Sequence, residues 1–600
     1  MASDKLVFDL SSEIEGSTNV FIKKDWVNIL DNMNQNYSSN QSVIDTSQLS
    51  NSNKYMSYRE AYLLVPMLLT VSNTAVNGGF SPATAASSSD YCIGLKSWFG
   101  NIIHSFTLDY NGVTVIQQTP YINMVNCFRL LTSLSWNDVI TQGATIGFYP
   151  DTSTSFQFNG PQALTTGQGT VNNIINPVLV QTQIDPADNF NNYSATGGNV
   201  GALKRCQYIN YDQDGNVGAT QAGGGTGTYA DLQTSTACSN LWKSFISSKI
   251  NSAAGAVGIF QISVTATIYL KHIHSFFAMC PLLKGVFMKM TMNLNNTSVN
   301  FTTAGALAAK TILLTGVSNP VGGVCPFLLS SQAYFSAAGV TTETSSLVAG
   351  TYTASVAVGA RVLAQPQGGL TGMTTGRGPA SVYLYVPAYT FNPVFESAYL
   401  SSPIKRIAYD DVYQYQVLGI KNGASFNNLL TNGIANLKSI LIIPFFSTAT
   451  TTTLPGGEVS STALPVSVPV FQSPFDTAGC GTTSPLIQFN NFNVVVSGQN
   501  AIYNTQQRMF EQFNDQFAGC NAVNGGLTDG LTSSLIGAQD FDLSYCYYYV
   551  NVERMLPVEQ SVPKSVQIIG INQSARAVDL YCFLTYQSVI QIDTLTGSRV

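Results

Sequence analysis

The side chains in this sequence best suited to metal binding or acid–base work are three histidines, ten cysteines and 32 carboxylates. His272 and His274 stand two apart, so on a strand they would share a face, as two metal ligands do. Cys280 is the one further donor nearby, whereas a closed zinc site takes four ligands, and the pair reads as the polar end of a strand. His104 opens a hairpin that is repeated later in the chain. The later copy carries Asn490 at the same place, which suits a packing role better than a chemical one. The cysteines form no C-x-x-C pair and are scattered from Cys92 to Cys582. No apolar stretch of signal-peptide length opens the chain, so reduced and mostly buried thiols are expected rather than a disulfide framework.

Other motifs fare no better. The glycines between Gly223 and Gly227 do not lie between a strand and an amphipathic helix, so they make a flexible loop and not a phosphate cradle. Asp212-Gln213-Asp214-Gly215 imitates the start of a calcium loop, but its glycine comes too early and no glutamate closes it. Asp-Gly is itself a turn former. Neither G-x-S-x-G nor H-E-x-x-H occurs. Asp410-Asp411 lies among tyrosines and lysines with no evident acid–base partner. The sequence therefore nominates no catalytic, cofactor-binding or metal-ligating residue, and the chain is not expected to be an enzyme or to need a cofactor.

What the chain lacks in chemistry it has in surface. Charged residues are 10% of the 600 and hydrophobic ones 45%, with 50 glycines, against roughly a quarter charged in average soluble chains. A surface solubilised by neutral hydrogen-bonding groups can meet other surfaces without large desolvation penalties. The net charge is −6 and no block of Lys or Arg is present, which argues against direct nucleic-acid binding. Lys23-Lys24 reads as a solvated strand end. The longest apolar run, Ala61 to Val71, is too short to cross a bilayer. A soluble protein assembled inside a cell and not secreted is expected.

The elements that organise this surface are announced by a repeat. FTLDYNGVTVIQQT begins at Phe106 and FNVVVSGQNAIYNT at Phe492, with Phe, Gly, Ile and Thr at matching places. Each reads as two strands around a tight turn, Asn111-Gly112 or Ser497-Gly498, where positive φ angles are needed. Three more anchors follow the same order: AYLLVPMLLT around Pro66 with SILIIPFFST around Pro444, KGVFMKM from Lys284 with KSVQIIG from Lys564, and VYLYVPAY from Val382 with VDLYCFLTY from Val578. Each proline suggests an edge strand or a bulge. Four anchors in one order argue for a duplicated domain.

The spacings locate the differences between the copies. Pro66 to Gly112 spans 46 residues and Pro444 to Gly498 spans 54, so this part keeps its layout. Gly112 to Lys284 exceeds its counterpart by 106 residues and Lys284 to Leu384 by 84. The surplus falls near 150–255 and 295–380, in Gly- and Thr-rich text such as Gln221 to Tyr229, and reads as loop insertions decorating the first copy. Most other segments alternate as strands. The best helical text follows each hairpin, after Thr119 and after Thr505, where a threonine can cap. The predicted fold is all-β: two tandem eight-stranded antiparallel jelly rolls, with long insertions in the first and short helices. An immunoglobulin-like sandwich would carry a Cys…Trp…Cys spacing that is absent.

Two segments, SQLSNSNKYMSYREAYLLVPM (Ser47 to Met67) and VYLYVPAYTFNPVFESAYLSSPIKRIAYDDV (Val382 to Val412), resemble the major capsid proteins of polinton-like viruses, relatives of those of virophages. The resemblance implies a double jelly roll, with 1–392 as the first barrel and 393–600 as the second. It implies homotrimers that act as pseudo-hexameric capsomers, tile an icosahedral shell around viral DNA against neighbouring capsomers, and meet a single-barrel penton protein at the vertices. Minor cement proteins or an internal membrane are further contacts it leaves open, and the virion is the location it implies. The rival reading is a jelly-roll carbohydrate- or receptor-binding module, a fibre head or lectin. Such modules present a compact aromatic and carboxylate site, whereas Trp26, Trp98, Trp136 and Trp242 are dispersed.

Overall fold

The computed structural model describes residues 20–50, 52–73, 90–151, 205, 207–208, 246–251, 258–306, 312–319, 324–332, 334–335, 341–342, 350–359, 381–447, 487–502, 510–518, 535–538, 541, 545–553, 561–574, 577–593 and 597–599. Eight strands make the first barrel: β1 (Phe21–Leu30), β2 (Gln41–Asp45), β3 (Tyr62–Asn73), β4 (Ile103–Tyr110), β5 (Val113–Ile116), β6 (Gly258–Tyr269), β7 (Met288–Leu294) and, after further strands, β10 (Tyr383–Phe391). Those further strands include β8 (Thr297–Ala306) and β9 (Gly350–Val358). The first barrel also holds helices α1 (Ile122–Ser133), α2 (Trp136–Ile146), α3 (Leu270–Ile273) and α4 (Ser275–Met279). Helix α5 (Pro393–Leu400) links it to the second barrel. That barrel comprises β11 (Ile404–Ile420), β12 (Ser425–Ile434), β13 (Leu437–Phe446), β14 (Phe489–Val496), β15 (Gln499–Asn500), helix α6 (Phe510–Ala518), β16 (Tyr548–Asn551), β17 (Lys564–Asn572) and β18 (Val578–Asp593).

Among the described residues every strand pair is antiparallel, and the eight barrel strands pair alike in both copies. The first barrel has sheets β1-β10-β3-β6 and β2-β7-β4-β5; the second has β11-β18-β13-β16 and β12-β17-β14-β15. With the eight strands of each copy counted in chain order, both read 1-8-3-6 over 2-7-4-5. That is the order of a jelly roll, so the chain is a double jelly roll. Alternation explains the packing: along β13, Ile440 and Ile442 enter the second barrel's core, while Leu441 and Ile443 join the larger core shared with the first barrel.

The repeated hairpins turn as their sequences require. Asn111 and Gly112 have φ of 46° and 80°, Ser497 and Gly498 have 50° and 83°, so both central residues are left-handed in each, as in a type I′ turn. The other anchors identify the right strands in shifted registers. Met288 lies opposite Tyr110 and Val566 opposite Val496, so Met288 and Val566 are equivalent, two residues away from the alignment of Lys284 with Lys564. Leu384 lies opposite Leu63 and Leu580 opposite Pro444, which places Pro444 at the position of Leu63 rather than of Pro66.

The prolines do not mark edge strands. β3 is interior, but β10 pairs with it only through Leu64 and β9 only from Met67, so Pro66 lies where one partner hands over to the other. Its carbonyl accepts the Gly359 N–H at 2.8 Å there. Pro444 lies beyond the last pair between β13 and β16, Ile442 with Tyr548. The missing N–H is thus placed where no ladder bond is lost. β8 and β9 fall within the surplus 295–380, so that region is not purely loop: β9 pairs with β3 and extends the sheet. Most of 150–255, with the Gly223–Gly227 and Asp212–Gly215 stretches, lies outside the described residues.

The helices depart from expectation in their caps. Tyr121, at φ 58°, precedes α1 and supplies no side-chain cap. Thr119 instead donates its hydroxyl to the Val412 carbonyl of the second barrel at 2.6 Å. Thr505 lies outside the described residues. Helix α2, for which the strand-centred reading made no provision, starts with a capping box: the Ser135 hydroxyl accepts the Asp138 N–H, and the Asp138 carboxylate accepts the Ser135 N–H.

Candidate assembly surface at the barrel seam

Of the side chains singled out for chemistry, His272, His274, Asp410 and Asp411 meet at the seam between the barrels, where they are committed to packing. His272 and His274 do not alternate on a strand. The chain leaves β6 at Tyr269 and turns through α3, so His272 lies in the helix and His274 ends it. His272 lies edge-on to Trp98 and Tyr269, and burial, with Lys271 beside it, pulls its pKa down to about 4. His274 accepts the Phe276 N–H at Nδ1, 3.2 Å away, and so caps α4. Its Nε2 is 3.4 Å from Asp411 Oδ1, too long for a charged hydrogen bond. Burial outweighs that carboxylate and keeps the ring neutral. His104 lies edge-on to Tyr121, and burial lowers its pKa as well.

His274, Ser275 and Asp411 together have the residue types of a hydrolase triad, but not its geometry. The Ser275 hydroxyl donates to the Asp410 carbonyl at 2.7 Å and accepts the Asp410 N–H at 2.9 Å, fastening α4 to β11. Asp411 accepts the Tyr586 hydroxyl and the Val412 N–H. Among the described residues no three His, Cys, Asp or Glu side chains could hold a metal ion together. The thiols of Cys127, Cys280, Cys325, Cys546 and Cys582 are buried, and none of these five is in a disulfide. Desolvation raises the Cys127 pKa to about 12.

Around these bonds the first barrel's hairpin end docks on the outer face of the second barrel's β11-β18-β13-β16 sheet. The Tyr409 hydroxyl donates to Val115 O at 2.7 Å. Tyr121 lies edge-on to Tyr581 at 5.0 Å, and Phe128 of α1 stacks on Tyr549. The turn is gripped too: Tyr110 and Asn111 donate to the Gly597 carbonyl at 3.0 and 2.6 Å. A cleft of about 690 Å³ runs along this seam, lined by Phe128, Arg129, His272, Asp410, Lys438 and Tyr549 among others. Asp410 and Lys438 pair across 3.0 Å, and burial lowers the Arg129 pKa against the opposing pull of Asp410 and Asp411. Such an arrangement holds two barrels in one orientation.

The matching face of the first barrel is not covered in this way. Tyr62 and Tyr385 stack at 5.1 Å, with Trp26, Tyr269 and Tyr383 beside them. Trp26 is 51% exposed and Lys24 reaches over it, paired to Glu60 at 2.6 Å. This aromatic strip was missed in the sequence because its members come from four separate strands. Their common face follows only from register.

The strand order thus defines the class, a double jelly roll, and solved structures of similar plan can be set beside it. A chain of the Sputnik virophage structure determined by cryo-EM is similar at TM-score 0.45 and 10% identity, over 98% of this chain and 91% of that one. The mavirus major capsid protein is similar at 0.42 and 9%, over 98% and 92%, and the Faustovirus major capsid protein at 0.38 and 10%, over 97% and 94%. No family model matches the chain, and no curated protein matches it.

Proposed function

We propose that this chain is a viral major capsid protein, with residues 1–392 and 393–600 as its two barrels. In this reading it trimerises into pseudo-hexameric capsomers that tile an icosahedral shell around DNA. The observation that carries the reading is the seam. Two barrels of identical strand order meet head to tail, the hairpin end of one on the sheet face of the next. A heterologous contact of this kind makes a ring when it is repeated by a rotation that closes. Three copies of two like barrels make six. The low charge suits a molecule that buries one surface in the ring and another against neighbouring rings, and the resemblance of Ser47–Met67 and Val382–Val412 to polinton-like virus capsid proteins agrees. Neighbouring capsomers and a single-barrel penton protein are the partners in this reading, and the assembled virion is its location.

Sedimentation of the purified chain at micromolar concentration, with negative-stain imaging, tests it. Trimers of hexagonal outline are expected. A persistent monomer that binds sugars would replace the capsid reading with the carbohydrate-binding one.

A further inference from the structure

The two barrels differ in one respect that their shared topology makes measurable. In the second barrel, Ile443 pairs with Tyr581 on the outer sheet face, and both are covered by the first barrel, at 3% and 6% exposure. Through the shared V-x-L-Y text of Val382–Tyr385 and Val578–Tyr581, the equivalent pair in the first barrel is Tyr62 with Tyr385, opposite each other and partly exposed. The same registers place Lys24, opposite Tyr389, at the site of Val412, opposite Thr585. Val412 is the residue whose carbonyl takes the Thr119 hydroxyl. Trp26 and Leu30, at 51% and 44% exposure, extend the uncovered strip.

The complementary element differs as well. In the first barrel the hairpin end is engaged: Val115 and Thr119 are buried and bonded to the second barrel. The hairpin tips are exposed in both copies, Asn111 to Thr114 and Ser497 to Asn500, but Ala501, the counterpart of the buried Val115, is only partly buried, and Thr505, the counterpart of Thr119, lies outside the described residues. Among the described residues the chain thus has a seam between its barrels, a matching sheet face without such a cover, and a second hairpin whose Ala501 is less buried than Val115, and the last two are of the kinds that meet in the seam.

We infer that the aromatic face of the first barrel, centred on Trp26, Tyr62 and Tyr385, is the seat for the second barrel's hairpin end from another copy of this chain. This rests on the trimeric reading above and specifies which surfaces make it. Continuity with the intrachain seam selects the occupant: the covered face of the second barrel shows what kind of element lies on such a face. Aromatic side chains at a contact of this kind carry a large share of its energy, and Lys24 takes the place of an uncharged residue whose backbone is the acceptor.

Two variants test the assignment. Trp26→Lys changes an exposed side chain, so the chain should fold with an unaltered circular dichroism spectrum while trimerisation weakens at least tenfold. The double variant Ile22→Cys/Asn500→Cys should give disulfide-linked dimers and trimers under mild oxidation, and neither single variant should. If the parent chain trimerises but Trp26→Lys trimerises equally well and the double variant yields no cross-link, the assignment of surfaces is wrong and the trimer stands on others. If the parent chain is monomeric, the trimeric reading falls and this one with it. Trp26-dependent binding of glycans by a monomer would make the strip a sugar platform and overturn the inference.

Discussion

Acid should weaken the seam, and His272 gives the size of the effect. An unfolded histidine titrates near 6.5, whereas His272 in the fold is held at about 4 by burial among Trp98 and Tyr269 and by the neighbouring Lys271 charge. Above pH 6.5 the ring is neutral in both states and contributes nothing to pH dependence. Between 6.5 and 4 the unfolded chain takes up the proton and the folded one does not, so stability falls as pH falls. At roughly 1.4 kcal/mol per pH unit, about 2 kcal/mol is lost by pH 5 and about 3 by pH 4. His274 and His104 are depressed in the same direction, so the parent chain alone does not isolate one ring. His272→Phe does. Urea midpoints of parent and variant, followed from pH 7 to 4.5, should converge on a common slope above 6.5 and separate below it, with the variant retaining stability. Parallel curves across the whole range would refute the assignment of a neutral, desolvated ring to this position.

Three further outcomes follow from particular contacts. Thr119→Val removes the hydroxyl bonded to Val412 O at 2.6 Å and should cost about 1 kcal/mol in a denaturation midpoint, without changing the secondary structure. Gly100→Ala places a methyl 2.2 Å from the Trp98 indole, which is fully buried; a loss of about 2 kcal/mol or more is expected, and an unchanged melting temperature would show that Trp98 can move aside. Gentle proteolysis of assembled particles should cut first within 150–255, where Gln221 to Tyr229 is rich in glycine, and first cuts at 106–119 or 492–505 would reverse the division into core and decoration.

The fold was legible where local chemistry is strong. Asn-Gly and Ser-Gly between alternating runs specify their turns without help from the rest of the chain, and the order of four anchors sufficed for two copies. Register was not legible, for a simple reason. A slip of two residues, as between Lys284 and Lys564, keeps every side chain on its face, so alternation cannot reveal it. The slip of three at Pro66 and Pro444 does exchange faces, but β3 and β13 carry mostly apolar residues on both faces, so the exchange leaves no mark in the alternation. His272 and His274 were misread because Gln261 to Leu270 is strand text that runs without punctuation into α3. There the chain turns into α3 with no glycine or proline to announce it. The capping box at Ser135 and Asp138 was available in the sequence and would have found α2.

The intrachain seam also divides the labour of association between two regimes. Barrels joined through the short helix α5 meet at an effective concentration set by that link, on the order of millimolar for short connections, whatever the abundance of the protein. Contacts between chains enjoy no such tether and follow mass action. A substitution of Val115 or Thr119 is therefore felt even in a single isolated molecule, whereas on the inferred contact one at the exposed Gln499 or Asn500 is felt once copies accumulate. The duplicated phrase is thus under two different selections, one for folding and one for the threshold at which copies begin to gather.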